Sequence, residues 1–324
     1  MSRLQTFSGT FFGSILFSFV LVCSCTVTSL GQQVPINTGI DIKTYTFATK
    51  DSLELQLDVY RHADAPDKSP CVLFVFGGGF IRGRRDAPIY NPYFNTLAQS
   101  KYVVVSMSYR LGLVGAKRVT PFRTWPLRKA INMAVEDIYD ATNWILKSAS
   151  TIGIDPSLII LSGSSAGAIS ALQADFEKRN NKPVAKVLPS DFQYAGIIAF
   201  AGAILTFDGA LTYKVPPAPT MLFHGTDDKL VIYKKIRLFN KAFYGSSHIA
   251  KVFNKKKYPY YIYREVGMGH EVSFLPLSEN SKEILWFIQE YILNKKPYLI
   301  DMSFDNLNKV RTMNLTPNDL YRKR

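Results

Sequence analysis

The sequence predicts an α/β fold: a mostly parallel central sheet with helices on both faces, an antiparallel N-terminal hairpin and no large lid domain. Three observations predict it. Apolar runs without alternation, at 71–76, 102–107 and 158–161, are what strands covered on both faces require. Segments with apolar residues at helical spacing lie between such runs. The stretch 42–60 instead alternates at period two, as a half-buried hairpin does.

Residues 1–31 read as a leader rather than as part of the fold. Arg3 precedes an apolar stretch reaching Val27, and Ser29-Leu30-Gly31 supplies small residues for cleavage before Gln32. A second reading is a lipoprotein signal in which Val22-Cys23-Ser24-Cys25 makes Cys25 the lipidated residue; a third is an uncleaved anchor. All three predict export, to a periplasm, an envelope surface or the medium. The α/β domain is expected over 32–294. No later stretch has the roughly 18 consecutive apolar residues of a membrane span.

In the hairpin, Tyr45 and Phe47 share one face and Leu53, Leu55, Leu57 and Val59 repeat on the returning strand, with Lys50-Asp51-Ser52 as the turn. The strand at 71–76 ends in Gly77-Gly78-Gly79-Phe80. A helix near 93–100, a buried strand at 102–107 and a surface loop at 111–125 follow. Pro126 suits a first helical position, and Ile131, Ala134, Ile138, Ala141 and Ile145 carry the helix towards Gly153. Strands are expected at 158–161, 194–200, 220–223 and 260–263, with a helix at 281–293. The tail 295–324 is polar with scattered apolar residues and is expected on the surface, packed or fraying.

The formal charge of +14 is dispersed, with concentrations at Arg82/Arg84/Arg85, Lys255–Lys257 and Arg322-Lys323-Arg324. No zinc-finger, RNP or helix-turn-helix pattern accompanies it, so a nucleic-acid partner is not expected. Beyond the leader the only cysteine is Cys71, read as a small buried hydrophobe. No metal-ligand spacing or dinucleotide fingerprint occurs, and no cofactor is expected.

The chemistry-bearing residues follow strand ends, where open α/β sheets place their sites. Gly163-Ser164-Ser165-Ala166-Gly167 stands between a strand and a helix, the context of a nucleophile elbow with Ser165 at its tip. Taken alone, the pentapeptide is equally explicable as a Gly/Ser-rich turn. His224-Gly225-Thr226-Asp227-Asp228 follows the 220–223 strand, and Gly267-Met268-Gly269-His270 follows the 260–263 strand. Nucleophile, acid and base therefore occur in the chain order Ser, Asp, His, behind an upstream glycine loop. His224 reads as structural, its side chain pinning the acid-bearing loop.

With these motifs in place, the sequence resembles the α/β-hydrolase serine esterases of the carboxylesterase and lipase/esterase group, acetyl- and feruloyl-esterases included. The likeness rests on Phe76-Gly77-Gly78-Gly79-Phe80, Ser108-Tyr109-Arg110-Leu111-Gly112, Glu136–Ala141 and Ser162–Ala168, and covers roughly 42–294. The resemblance implies Ser165, Asp228 and His270 as the triad. Asp228 is preferred over Asp227 because Asp228-Lys229-Leu230-Val231 resembles the family's acid followed by a packing valine. It also implies an oxyanion hole from the N–H groups of Gly78, Gly79 and Ala166. The family usually carries His before the three glycines, where this chain has Phe76. Phe80, Tyr90 and Ser164 are candidate substrate contacts, and Tyr90, Tyr93, Phe94, Phe122 and Trp125 are expected around the mouth. Arg82, Arg84 and Arg85 either receive a substrate anion or pair with Asp86. The expected activity is hydrolysis of small or glycan-linked carboxylic esters with short acyl or aryl groups. A prolyl-oligopeptidase-like peptidase shares the triad order, and a non-catalytic binding protein on a hydrolase fold is the reading from another class.

Overall fold

The computed structural model describes residues 39–116 and 124–321. The stretch 1–31 expected to be a leader, with Cys25, as well as Phe122 and the basic run 322–324, lies outside the described residues.

Ile40–Lys50 (β1) and Leu53–His62 (β2) form the expected antiparallel hairpin. Asp51 (φ 48°) and Ser52 (φ 66°) turn it, and paired left-handed residues give a turn whose twist matches the strands it joins. Leu55, Leu57 and Val59 are buried, but Leu53 is 51% exposed. The next strand pairs with β2 only over Leu57–Tyr60, so the turn end of the hairpin projects beyond the sheet.

Ser69–Val75 (β3), Val103–Met107 (β4) and Ile154–Ser164 (β5) make the sheet's centre, and Leu73, Val105 and Leu161 in them are fully buried. Gly196–Phe200 (β6), Thr220–Gly225 (β8), Tyr260–Glu265 (β11) and Leu299–Phe304 (β12) extend it. The strand order is β1-β2-β4-β3-β5-β6-β8-β11-β12 among the described residues, parallel from β4 onward. A separate antiparallel sheet joins Ala203–Thr206 (β7), Lys235–Leu238 (β9) and Lys241–Gly245 (β10) in the order β7-β10-β9.

The helices are Asn91–Gln99 (α1), Trp125–Lys147 (α2), Ala149–Ile152 (α3), Ala166–Arg179 (α4), Ser246–Lys256 (α5), Pro276–Glu279 (α6), Ser281–Phe287 (α7) and Pro317–Tyr321 (α8). The helix expected to run on to Gly153 is interrupted at Ser148, whose φ/ψ of −98°/7° is not helical. Gly153 at φ 69° then closes α3 with the left-handed cap that glycine accepts most readily. A π-helical turn, Ile288–Leu293, continues α7. α4 packs on β5, β6 and α2, whereas α1 packs on β2, β4 and α7.

The segment beyond 295 supplies a strand that hydropathy did not reveal. β12 is an edge strand, half-buried at Leu299 and Ile300 and exposed from Asp301 to Phe304, so it needs no apolar run. Cys71 is fully buried, and burial pushes its thiol up to about 12.

Candidate active site

β5 delivers Ser165 and α4 leaves from it. Ser165 has φ 51° and ψ −115°, a conformation that a non-glycine residue holds only when its surroundings impose it. Its neighbours do so. A Cβ on Gly167 would stand 2.0 Å from the Val75 carbonyl oxygen, and one on Gly163 would stand 2.5 Å from the Gly167 carbonyl. The glycines two residues either side of the serine therefore let helix and strand approach at the turn. The Ser165 N–H donates to Phe200 O at 2.8 Å, which ties the tip to β6.

β8 and β11 lie in parallel register, with Gly225 opposite Glu265, so the loops that leave them emerge side by side. Thr226 N–H donates to Glu265 O at 3.0 Å and Gly267 N–H to Thr226 Oγ1 at 2.9 Å, joining the two loops. His270 from one loop and Asp228 from the other meet beneath Ser165. Ser165 Oγ is 2.8 Å from His270 Nε2, and His270 Nδ1 is 2.8 Å from Asp228 Oδ2. All three residues are buried. With a proton on Nδ1 donated to Asp228, Nε2 presents its lone pair to the serine hydroxyl.

The carboxylate is held on both oxygens. Asp228 Oδ1 accepts from Leu230 N–H at 2.9 Å and Val231 N–H at 3.0 Å. Oδ2 faces a second imidazole as well: His224 Nε2 stands 3.3 Å from it and 3.0 Å from Val231 O, and Nδ1 is 2.7 Å from Ser246 Oγ. Burial pushes the Asp228 carboxyl up, but hydrogen bonds and charge from His224 and His270 outweigh it and hold the group well below the usual carboxylate range. His224 does bond the acid-bearing loop. Its approach to the Asp228 carboxylate was not legible in sequence, because it depends on how the 225–231 turn folds. Asp227 points elsewhere, pairing with Arg311 from the C-terminal segment.

The glycine loop has its own supports. Gly78 O accepts from the N–H groups of Ile81 and Arg82, each at 3.2 Å, folding the loop into a turn. Gly77 N–H donates to the Tyr90 hydroxyl at 3.0 Å. Phe76 packs its ring on Tyr109 at 4.4 Å between centroids, and the Tyr109 hydroxyl donates to Phe76 O at 3.0 Å. Aromatic packing thus stands where the resemblance implies histidine. Gly79 and Ala166 line the same pocket as Ser165, and Ala166 opens α4, where N–H groups have no helical acceptor. Gly78 stands one residue behind that lining.

Phe80 lines the pocket; Tyr90 and Ser164 do not. The Ser164 hydroxyl donates to Ser273 O at 2.8 Å, fastening the elbow to the turn His270–Ser273. Tyr93 and Phe94, expected around the mouth, lie instead in the core. They occupy the inward face of α1 against Phe74, with the Tyr93 hydroxyl 2.9 Å from Ser162 Oγ. Trp125 is 64% exposed and outside the pocket lining. Arg84 pairs with Asp86 at 3.0 Å and Arg85 with Asp58 at 2.9 Å, so acids within the fold already engage both.

Fold and site together define what is observed: an α/β-hydrolase fold in which Ser165, His270 and Asp228 are joined by hydrogen bonds. Residues 57–206, a little under half of the chain, match the family model described as BD-FAE. Esterase 2 of Thermogutta terrifontis, phosphoramylated by tabun, superposes with a TM-score of 0.57 at 21% identity, covering 78% of this chain and 94% of that one. Its propionate-bound form superposes with a TM-score of 0.54 at 19% identity, covering 79% and 96%. Among curated relatives, carboxylesterase 5A of Homo sapiens is 34% identical over 122 residues, 38% of this chain and 20% of that protein. Acetylcholinesterase of Gallus gallus is 34% identical over 116 residues, 36% of this chain and 14% of that protein. The chain thus spans a fifth or less of the length of these two relatives.

Proposed function

We propose that the protein is a serine carboxylic-ester hydrolase that works through an acyl-enzyme on Ser165. The observation that carries this reading is the unbroken hydrogen-bonded relay from Ser165 Oγ through His270 to Asp228, opening on a pocket. Ser165 Oγ attacks the ester carbonyl as His270 Nε2 takes its proton, and Asp228 holds the imidazole in the required tautomer and stabilises its cation. The carbonyl oxygen becomes an anion facing the N–H groups of Gly78, Gly79 and Ala166. Aligned donors of this kind are each worth about two to three orders of magnitude in rate. His270 then protonates the leaving alcohol, and a water deprotonated by His270 releases the acyl group.

Short acyl or aryl esters are the proposed substrates, and acyl decorations of polysaccharides belong to the reading because residues 201–219 hold only one short strand and no cap. Export belongs to this reading as well, on the leader-like pattern of residues 1–31. The test is purified protein with short-chain p-nitrophenyl esters and a serine-reactive fluorophosphonate probe. Turnover, with labelling that disappears in Ser165→Ala, is expected; the absence of both turnover and labelling refutes the reading. Turnover of Pro-linked amides in preference to aryl acetates would turn it towards a peptidase.

A further inference from the structure

The pocket beside Ser165 has a wall made by the end of the chain. From Lys309 onward the C-terminal segment crosses the loops that carry the triad. Lys309 Nζ is 2.7 Å from Glu279 and 3.3 Å from Glu265 at the end of β11. Arg311 pairs with Asp227, next to Asp228, and its Nε donates to Gly267 O at 2.9 Å. Met313 N–H donates at 3.1 Å to Glu271 Oε2, and Glu271 Oε1 accepts from Gly269 N–H at 2.9 Å. Glu271 directly follows His270 and is fully buried. The segment therefore bonds to both the acid loop and the base loop. It then enters α8, where Thr316 Oγ1 and Asp319 Oδ2 meet at 2.6 Å across the first turn. α8 brings Pro317 and Leu320 into the pocket lining, and a Cβ built on Gly79 would stand 2.5 Å from Leu320 Cδ2. Leu320 thus packs directly on the glycine loop.

We propose that this C-terminal segment is the specificity wall of an acyl site that takes linear aliphatic acyl groups of short to medium length. The assignment rests on the esterase reading above. The cavity is about 200 Å³, smaller than sites for drug-sized ligands. Its lining includes Ile169, Leu205, Val231, Phe243, Pro317 and Leu320, with Thr124 and Lys241 as polar members besides Ser165. Among the described residues that line it there is no carboxylate or amide side chain. Apart from Thr124 and Lys241, the lining offers the several polar atoms of a sugar or phenolic acyl group no side-chain partner beside Ser165, whereas an alkyl chain needs none.

The experiment measures kcat/KM for p-nitrophenyl acetate, butyrate, hexanoate, octanoate and ferulate, with fluorophosphonate labelling of Ser165 in parallel. Butyrate or hexanoate is expected to exceed both acetate and ferulate. Leu320→Phe, which fills the pocket, is expected to lower the hexanoyl-to-acetyl ratio about tenfold, the lower end of what one methylene decides in an apolar pocket. Leu320→Ala, which opens it, should raise the octanoyl-to-hexanoyl ratio by a similar factor. A ferulate preference, or ratios that neither variant moves while Ser165 still labels, overturns the acyl-wall assignment alone. Loss of turnover and labelling alike in the unaltered protein overturns it together with the esterase reading.

Discussion

Replacing His224 by leucine tests the least expected contact of the site. His224 is fully buried, and its Nε2 serves both Val231 O at 3.0 Å and Asp228 Oδ2 at 3.3 Å. Leucine fills much of the volume but donates to neither, and it leaves the Ser246 hydroxyl only the weak 3.4 Å contact to Gly202 O. A buried polar group stripped of its partner costs about 1–3 kcal/mol. Two such losses give about 2–6 kcal/mol, or roughly 4–24 °C in Tm for a domain of this size. The rate should fall less than on loss of a triad member, because Asp228 keeps His270 and the N–H groups of Leu230 and Val231. We expect kcat to drop about ten- to a hundredfold, against about 10⁴-fold where a triad acid can no longer set the tautomer. The assays are a thermal melt and kcat/KM on a short-chain aryl ester. His224→Asn, whose amide can donate to Val231 O, should recover part of both losses. A collapse of activity equal to that of His270→Ala would make His224 a base and refute the argument; so would an unchanged Tm and rate.

Asp228→Asn should lower kcat about 10⁴-fold while Asp227→Asn stays within about tenfold of the unaltered rate, since only Asp228 reaches His270; the reverse order would reassign the acid. The folded-state Asp228 carboxyl is held below its ordinary range, so its stabilisation is fully present above the usual carboxylate pKa of about 3.9 and is lost as pH falls below it. The Tm gap between the protein and Asp228→Asn should therefore narrow from pH 5 to pH 2.5, and a gap that widens would contradict the cited shift. Gly167→Ala places a Cβ 2.0 Å from Val75 O, a backbone clash expected to destabilise by about 3 kcal/mol or more, read as a lowered denaturation midpoint in urea.

Legibility followed local physics. The buried strands were visible because a strand covered on both faces must be continuously apolar, as 71–76 and 158–161 are. The elbow was visible because its glycines are required by contacts within a few residues and with one adjacent strand. β12 was not visible, since an edge strand half-exposed along its length carries no apolar signature. The β7, β9 and β10 sheet was missed as well, because short, strongly basic β9 (Lys235-Ile236-Arg237-Leu238) has little burial to advertise. Tyr93 and Phe94 were read as rim residues from their place after a catalytic loop, whereas the helical phase of α1 turns them into the core.

By itself the sequence determined the α/β architecture, the Ser165 turn and the order in which serine, aspartate and histidine follow the strand ends. These depend on hydrophobic period and on glycine sterics, which act over a few residues. Only the tertiary structure decided which of two adjacent aspartates meets His270, that His224 shares the same carboxylate, and that Leu320 lies against Gly79. Those contacts span 42 residues in the case of Asp228 and His270 and far more for Gly79 and Leu320. They are set by sheet register and by the path of the returning chain, neither of which leaves a trace in local composition.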